Sequence, residues 1–216
     1  MKTGLVLLFA LTIGATPLLA QTSTVDITDN ALVLDYTEPE PNPAATIRSY
    51  IITGRGTTGF GATWTGTGIT SSTAAADVIA NPESTSVAYA HNGSLPLGPY
   101  ANFVGRAVDD SSVLIRYTRT GDANLDGLVN DDDVTILGAT YAPGVPQPSW
   151  ALGDFDYNGF VDDDDATLLG VFYNPNATPI SAPTATGGVA AVPEPATWLM
   201  LVIGGSWIGM FGWRRR

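Results

Sequence analysis

The sequence predicts an α+β protein with three parts: a small β-rich N-terminal domain, a mainly α pair of loop–helix repeats, and a C-terminal transmembrane helix. Three observations lead to this prediction. Short apolar and β-branched runs are spaced along residues 21–120. Two acidic segments then recur with an offset of 32 residues, and a mostly apolar, uncharged stretch occupies residues 198–213.

The N-terminal domain is expected to contain short strands and short helices in alternation. The predicted elements are strands at 25–27 and 31–36 around an Asp29-Asn30 turn, a helix from Asn42-Pro43 to Gly54, a loop or twisted hairpin at 59–70, a helix at 72–80 stopped by Asn81-Pro82, and strands at 86–90 and 112–117. We therefore expect residues 21–120 to fold as a small β-rich domain.

The repeated segments occupy residues 121–175 and hold eleven aspartates with no lysine or arginine between them. The repeat extends beyond the acids, because Tyr141 and Pro143 recur as Tyr173 and Pro175. Each acidic segment can be written as a twelve-residue calcium loop, in which side chains at positions 1, 3, 5, 9 and 12 and the backbone carbonyl at position 7 supply oxygen ligands. The predicted ligands are Asp122, Asn124, Asp126, Leu128, Asn130 and Asp133 in loop 1, and Asp154, Asp156, Asn158, Phe160, Asp162 and Asp165 in loop 2.

Position 6 of each loop is a glycine, where the chain must turn sharply. The alternative interpretation is a pair of Asx-rich turns, since Asp-Gly and Asn-Gly sequences favour turns without any metal. Two such loops in register favour calcium. Calcium fits better than magnesium, which demands a tighter octahedral geometry and keeps its waters.

A short helix is predicted after each loop, where acidic residues favour the positive end of the helix dipole. In the first helix Val134, Leu137 and Tyr141 form an apolar stripe, and Leu168, Leu169 and Phe172 form its counterpart. These side chains are expected to be the core between the helices. Position 8 of each loop is a valine, Val129 or Val161, where paired loops can join through a short antiparallel contact.

Loop-then-helix, twice, with Asp at position 12 and no helix before the first loop, resembles a type I dockerin domain over residues 121–175. The segment Tyr117–Asp122 is also similar to regions that precede dockerin repeats in planctomycete surface proteins. The resemblance implies two Ca²⁺ ions and a cohesin-like partner. Positions 10 and 11 depart from the family, because they are Asp131-Asp132 and Asp163-Asp164. The partner is therefore a cohesin-like or another envelope protein, or the module is only a calcium-dependent fold.

Both ends of the chain resemble export signals. Residues 1–20 have a basic start, a short apolar core and a small residue before Gln21, which predicts a secretory signal peptide. Residues 198–213 would span about 24 Å as a helix, and three arginines follow them, which favours a membrane span with a cytoplasmic end. Val192-Pro193-Glu194-Pro195 stands just before this stretch, after a linker at 176–192.

That order of motif, apolar segment and arginines resembles the PEP-CTERM sorting signal of bacterial surface proteins, at residues 193–216. The resemblance implies a precursor anchored in the inner membrane until an exosortase-type protease cuts near the Pro-Glu-Pro motif. The product is expected at the cell surface or in the extracellular matrix.

The amino-acid composition and the motifs exclude several classes of function. Residues 21–192 hold five arginines and twenty acids, a formal net charge of −15, which disfavours a nucleic-acid partner. The absence of cysteine excludes thiolate metal sites and cysteine nucleophiles. No common hydrolase or phosphate-loop motif is present. We therefore predict a non-enzymatic surface protein that uses calcium for attachment or assembly.

Two other functions remain open from the sequence. A carbohydrate-active enzyme carrying a docking module would need carboxylates that converge on a cleft, and the candidates are Asp77, Glu83, Asp109 and Asp110. A polysaccharide-binding protein could stack sugars on aromatic rings, although such rings more often belong to the core; the candidates are Trp64, Tyr89, Tyr100 and Phe103. In a third interpretation the acidic module only stabilises the fold.

Overall fold

The computed structural model describes residues 23–37 and 41–181. Its strands are β1 (Thr24–Asp26), β2 (Ala31–Asp35), β3 (Gly68–Thr70), β4 (Thr85–His91), β5 (Asn102–Phe103), β6 (Arg106–Ala107) and β7 (Ser112–Arg119). Its helices are α1 (Ala44–Arg55), α2 (Ser72–Ala80), α3 (Asp131–Thr140) and α4 (Asp163–Phe172), with single 3-10 turns at Asn92–Ser94 and Trp150–Leu152. The fold is mixed α+β, as the sequence predicts.

The predicted signal peptide at residues 1–20 and the predicted transmembrane helix at 198–213 lie outside the described residues. Among the helices of residues 23–37 and 41–181, none is long and apolar enough to cross a membrane.

Strand β7 is the centre of a three-stranded antiparallel sheet with the order β2-β7-β4. Its sequence SVLIRYTR is rich in β-branched and apolar residues, and the first seven positions are buried. Side chains two apart on a strand share a face, so Arg116 and Thr118 point the same way, whereas Tyr117 lies on the opposite face and bonds to Asp77 of α2. The strand thus carries polar groups into the interior on both faces.

The strands expected around Asp29-Asn30 are present, but they join different sheets. β1 pairs in parallel with β3, and β2 pairs with β7. β3 lies in the segment 59–70, for which the sequence analysis predicts a loop or twisted hairpin. The strand was missed because short parallel pairing with a distant strand leaves no local sequence signal. β5 and β6 form a small separate hairpin.

Helix α2 spans Ser72–Ala80 as predicted, and the Ser71 side chain caps it by accepting from the Ala74 N–H at 2.9 Å. Helix α1 continues past Gly54, which the sequence took for its end, and stops at Gly56 with φ 88°. Gly54 is needed for another reason: a Cβ there would lie 1.9 Å from the carbonyl oxygen of Ile69 in β3. The glycine permits the close approach of α1 and β3.

The predicted apolar stripe of α3 is wrong in two of its three positions. Val134 and Tyr141 are 44% and 42% exposed, while Ile136 and Leu137 are buried. Asp133 is also buried, so the helix turns its inner face to positions 133, 136 and 137. In α4 the counterpart holds better, since Leu168 and Leu169 are buried and Phe172 packs against the core.

One continuous cluster of buried apolar side chains includes residues from both predicted domains. Trp150, in the segment between the repeats, is fully buried and packs on Phe155 and Tyr157 with ring centroids 5.1 and 5.5 Å apart. Tyr157 in turn lies 6.2 Å from Tyr89 of β4 and donates its hydroxyl to the Val87 carbonyl at 2.6 Å. The predicted boundary between residues 21–120 and 121–175 therefore does not separate two hydrophobic cores.

Candidate metal centre

The two acidic loops have the same backbone path. Position 4 is left-handed in both, with φ 66° at Leu125 and 65° at Tyr157. Position 6 is also at positive φ, 94° at Gly127 and 98° at Gly159, where glycine carries no Cβ penalty. Equal dihedrals at equivalent positions mean that the sequence repeat is also a conformational repeat.

The carboxylate at position 1 organises the turn of each loop. Asp122 accepts the Asp126 N–H at 3.0 Å and the Gly127 N–H at 2.8 Å. Asp154 accepts the Gly159 N–H at 3.1 Å. These bonds hold positions 1 and 6 together and leave further lone pairs on each carboxylate, which has about four acceptor sites in all.

The carboxylate at position 12 closes each loop from the first turn of the following helix. Asp133 accepts from the Ala123 and Asn130 N–H groups at 2.8 and 2.9 Å. Asp165 does the same with the Phe155 and Asp162 N–H groups, at 2.7 and 3.0 Å. Both aspartates complete a capping box, so helix formation and loop closure depend on one side chain.

The predicted ligands at position 9 have a second task. Asn130 and Asp162 cap helices α3 and α4 by accepting the N–H of Asp132 at 2.7 Å and of Asp164 at 3.0 Å. In loops of this type position 9 often reaches the ion through a water molecule. The N-cap bond is compatible with that indirect role.

The remaining predicted side-chain ligands bond to the backbone of their own loops. Asn124 and Asp126 accept backbone N–H groups two residues ahead, at 3.0 and 2.8 Å, as do Asp156 and Asn158, both at 2.8 Å. The backbone ligands Leu128 and Phe160 stand half-buried at position 7. All twelve predicted ligand residues therefore lie within two loops of the expected layout.

Loop 2 brings three carboxylates to a common point. Oxygen atoms of Asp154, Asp156 and Asp165 lie within 4.8 Å of one another, and all three residues are buried. Buried like charges at this separation repel unless a cation or protons compensate them. An oxygen-only donor set of this kind suits Ca²⁺ and offers nothing to a thiophilic metal.

Burial perturbs the acids in the way expected without a cation. It raises the pKa of Asp122 and of Asp165 to about 7 and that of Asp133 to about 6. It raises the pKa of Asp154 and Asp156 as well, although the Arg48 guanidinium opposes the shift at Asp154. A divalent ion would reverse these shifts by favouring the charged carboxylates.

Several groups outside the loops contact them, and the sequence analysis did not predict these contacts. Arg48 donates to Asp154 Oδ2 at 2.8 Å, and Thr118 donates to Asp122. Trp150 donates its ring N–H to the Asp122 carbonyl at 2.7 Å. A tryptophan isolated among small and proline residues in the segment 143–153 was the one available sequence signal.

The predicted contact at Val129 and Val161 takes a different form. The Val129 carbonyl accepts the Asn174 N–H at 3.0 Å, and the Val161 carbonyl accepts the Ala142 N–H at 3.1 Å. Each loop therefore bonds to the segment that follows the other repeat's helix. The two bonds are equivalent under the 32-residue offset, which indicates an approximate two-fold relation.

A second reciprocal contact involves position 10. Tyr141 donates to Asp163, and Tyr173 donates to Asp131 at 2.5 Å. Asp131 and Asp163 are exposed, yet each already has an internal partner. Only the position 11 acids, Asp132 and Asp164, remain exposed with side chains uncommitted among the described hydrogen bonds.

The four carboxylates considered for catalysis do not converge on one site. Asp77 accepts from Thr85 and Tyr117, and Glu83 pairs with Arg55 at 3.0 Å. Asp109 caps a turn at Ser111, and it lines an open pocket of about 700 Å³ together with Asp110, His91 and Tyr100. Of the aromatic candidates for sugar stacking, the prediction of a core role is confirmed for three, which are buried: Trp64, Tyr89 and Phe103.

Comparison with protein families identifies the C-terminal tail. Residues 191–216 match the PEP-CTERM protein-sorting motif, which is associated with exosortase processing. The match confirms the predicted sorting signal and indicates an exported, membrane-processed protein. No dockerin family matched. Neither the curated proteins nor the solved structures gave a match.

Proposed function

We propose that this chain is a non-enzymatic, exported surface protein whose dockerin-like loop–helix repeats bind two calcium ions and mediate calcium-dependent attachment or assembly. The observation that carries the proposal is the convergence of buried Asp154, Asp156 and Asp165 oxygens within 4.8 Å. Loop 1 repeats the backbone path of loop 2. Three buried carboxylates without a cation are costly, and calcium would compensate them.

Attachment is supported by what the repeats leave on the surface. Asp132 and Asp164 are exposed at the starts of α3 and α4; Val134, in the first turn of α3, is 44% exposed, and Val171, near the end of α4, is 67% exposed. Acidic and apolar groups together suit a protein partner with a basic, partly apolar surface. The partner would be a cohesin-like or other envelope protein.

Calcium titration of the full chain by isothermal calorimetry, in detergent, tests the proposal. The expected result is two ions per chain, with loss of helical circular dichroism in chelator. Residues 121–175 alone would be a poor sample, because their core is shared with residues 23–120. A chain that binds no calcium and keeps its circular dichroism in chelator refutes the proposal.

The attachment step has its own test. Capture of envelope proteins by the full chain should occur in calcium and be lost in chelator. The double variant D132A/D164A should lose capture while it keeps both ions, because neither side chain is a predicted ligand. Capture that persists in chelator refutes calcium-dependent attachment but leaves calcium binding intact.

The enzymatic alternative has less support. Asp77 and Glu83 are committed to Tyr117 and Arg55 and do not join the pocket that Asp109 and Asp110 line. Polysaccharide binding is the more plausible rival, since Tyr100 and two carboxylates border that pocket. A sedimentation assay with envelope polysaccharide tests it, with Asp110→Ala as the variant that should lose binding.

A further inference from the structure

The described residues before Thr120 contact the outer side of both calcium loops. In a loop of this type only position 7 offers its carbonyl to the ion, so the carbonyls at positions 3, 4 and 6 are available to donors from elsewhere. Buried carbonyls without a partner are costly. In both loops these three carbonyls accept hydrogen bonds from outside the loop.

In loop 1 each of the three carbonyls accepts from a side chain. Tyr100 donates its hydroxyl to the position 3 carbonyl of Asn124 at 2.9 Å. Arg116 donates Nη1 to the position 4 carbonyl of Leu125 at 2.5 Å, and its Nη2 donates to the Ile180 carbonyl. The position 6 carbonyl of Gly127 accepts from Arg119 at 2.6 Å and from the Ile180 N–H at 3.0 Å.

In loop 2 the same positions are held by different groups. The position 3 carbonyl of Asp156 accepts the Gly59 N–H at 2.8 Å. Arg48 donates to the position 4 carbonyl of Tyr157 at 2.8 Å and also to the Asp154 carboxylate. The position 6 carbonyl accepts the Gln147 N–H at 2.9 Å. Five of the six carbonyls thus receive a donor from the described part of residues 23–120.

We propose that residues 23–120 are a built-in cradle for the calcium loops, in which Tyr100 and Arg116 act as positioning residues for loop 1 and Arg48 for loop 2. The inference rests on the proposed calcium binding and assigns a task to a region whose role the sequence left open. Groups that orient ligands from the second layer typically change metal affinity by about 10- to 100-fold when removed. Calcium affinity accordingly depends on the described residues before Thr120 as well as on the loops themselves.

Loop 1 offers two variants that keep the charge constant. Tyr100→Phe removes one hydroxyl. Arg116→Lys retains the positive charge but cannot hold two carbonyls with a two-pronged guanidinium. Both should weaken calcium binding at one site by about tenfold and leave the other site unchanged. Tyr50→Phe, at a half-buried tyrosine for which no loop contact is seen among the described residues, is the matched control.

Two amide signals separate the sites in heteronuclear NMR of the full chain, since Gly127 and Gly159 each donate to the position 1 carboxylate of their own loop. Calcium titration should saturate Gly127 later in Tyr100→Phe than in the wild type, with Gly159 unaffected. A general loss of stability would shift both signals together.

The outcomes distinguish this inference from the proposed function. Wild-type protein that binds no calcium refutes the calcium function and the cradle with it. Wild-type protein that binds two ions, with Gly127 saturation unchanged in Tyr100→Phe, refutes the cradle alone. If Arg116→Lys fails to fold, Tyr100→Phe still decides, because it changes a single partly buried hydroxyl.

Discussion

Loop 1 and loop 2 share a backbone path but differ in how their position 1 carboxylate is compensated. Asp122 has a neutral hydrogen-bond donor, the Thr118 hydroxyl, and the Arg116 charge acts on it without a salt bridge, whereas Asp154 contacts the charged Arg48 guanidinium at 2.8 Å. Loop 2 also has four predicted carboxylate ligands against three in loop 1. A repeat can therefore conserve conformation while its surroundings set the electrostatics of each copy separately.

The C-terminal segment adds to this difference. Residues after α4 pass over loop 1, where Ile180 bonds to Gly127 and Arg116. The equivalent surface of loop 2 is covered by Gln147 and by α1 through Arg48. Loop 1 thus lies between strand β7 and the segment that follows α4, and loop 2 lies against helix α1.

The largest expected difference between the loops comes from their position 6 glycines. A Cβ at Gly127 would lie 2.4 Å from the Ile180 carbonyl oxygen, whereas a Cβ at Gly159 would meet nothing closer than Arg48 at 3.9 Å. Both substitutions strain a positive φ, which costs about 1–3 kcal/mol, and overpacking adds about 1–3 kcal/mol at Gly127 only. Gly127→Ala should lower the free energy of unfolding by about 4 kcal/mol and Gly159→Ala by about 2 kcal/mol, as measured by urea denaturation. Equal losses would show that the C-terminal segment does not press on loop 1.

Next in size is the loss of the charged partner in loop 2. Asp154 is fully buried, and Arg48 is 17% exposed in its side chain, so Arg48→Met leaves a buried carboxylate unpaired. In chelator we expect a loss of about 3 kcal/mol, the low end for breaking a buried pair. A calcium ion bound as proposed would supply positive charge at the same carboxylate, so the loss should shrink when calcium is saturating.

Thr118→Val is the matched change in loop 1. It removes a neutral hydrogen bond to a carboxylate, worth about 1.5–3 kcal/mol, and no charge. Calcium should rescue Arg48→Met more than Thr118→Val in thermal unfolding. The reverse order would contradict the electrostatic contrast between the loops.

A third effect should be common to both loops. Burial holds the pKa of Asp122 and Asp165 near 7 and that of Asp133 near 6, while an unfolded aspartate titrates near 3.9. Between about pH 4 and 7 the folded, metal-free protein therefore binds more protons than the unfolded chain, and its stability falls as pH rises. In chelator the melting temperature should decrease from pH 5 to pH 8.

Calcium should cancel or reverse this trend, since the ion binds deprotonated carboxylates. Asp122→Asn and Asp165→Asn, one in each loop, should each flatten the pH dependence in chelator. A melting temperature that rises with pH in chelator would show that the buried acids are already compensated by protein groups.

The parts of the site that sequence predicts are those encoded locally. The loop turn, the glycine at position 6 and the helix that begins after position 9 all lie within a dozen residues, and their spacing fixes the backbone geometry. The prediction that α2 spans Ser72–Ala80 is confirmed for the same reason, because Ser71 and Asn81 mark its ends. Local chemistry was sufficient in these cases.

What the sequence could not predict depends on distant partners. Arg48 lies 106 residues before Asp154, and nothing near it in sequence distinguishes it from a solvated arginine. The prediction of the buried face of α3 was wrong because the helix has two possible inner faces. One holds residues 134, 137 and 141, and the other holds residues 133, 136 and 137. The choice between them is made by Asp133, which must point into its loop.

The smallest effect tests the one contact that treats both repeats alike. Tyr141 and Tyr173 are about 40% exposed and donate to Asp163 and Asp131 of the opposite repeat. Exposed hydrogen bonds to carboxylates contribute little because water competes for both partners, so Tyr141→Phe and Tyr173→Phe should each lower the free energy of unfolding only slightly. Because the contacts are equivalent under the repeat, the two losses should agree.

The double variant Y141F/Y173F adds a sharper version of the test. If the Tyr141–Asp163 and Tyr173–Asp131 contacts act separately, the double variant should lose as much free energy of unfolding in urea denaturation as the two single variants together. A loss larger than the sum would mean that either contact alone aligns the repeats, so that the two loops, despite their different surroundings, are coupled through these contacts.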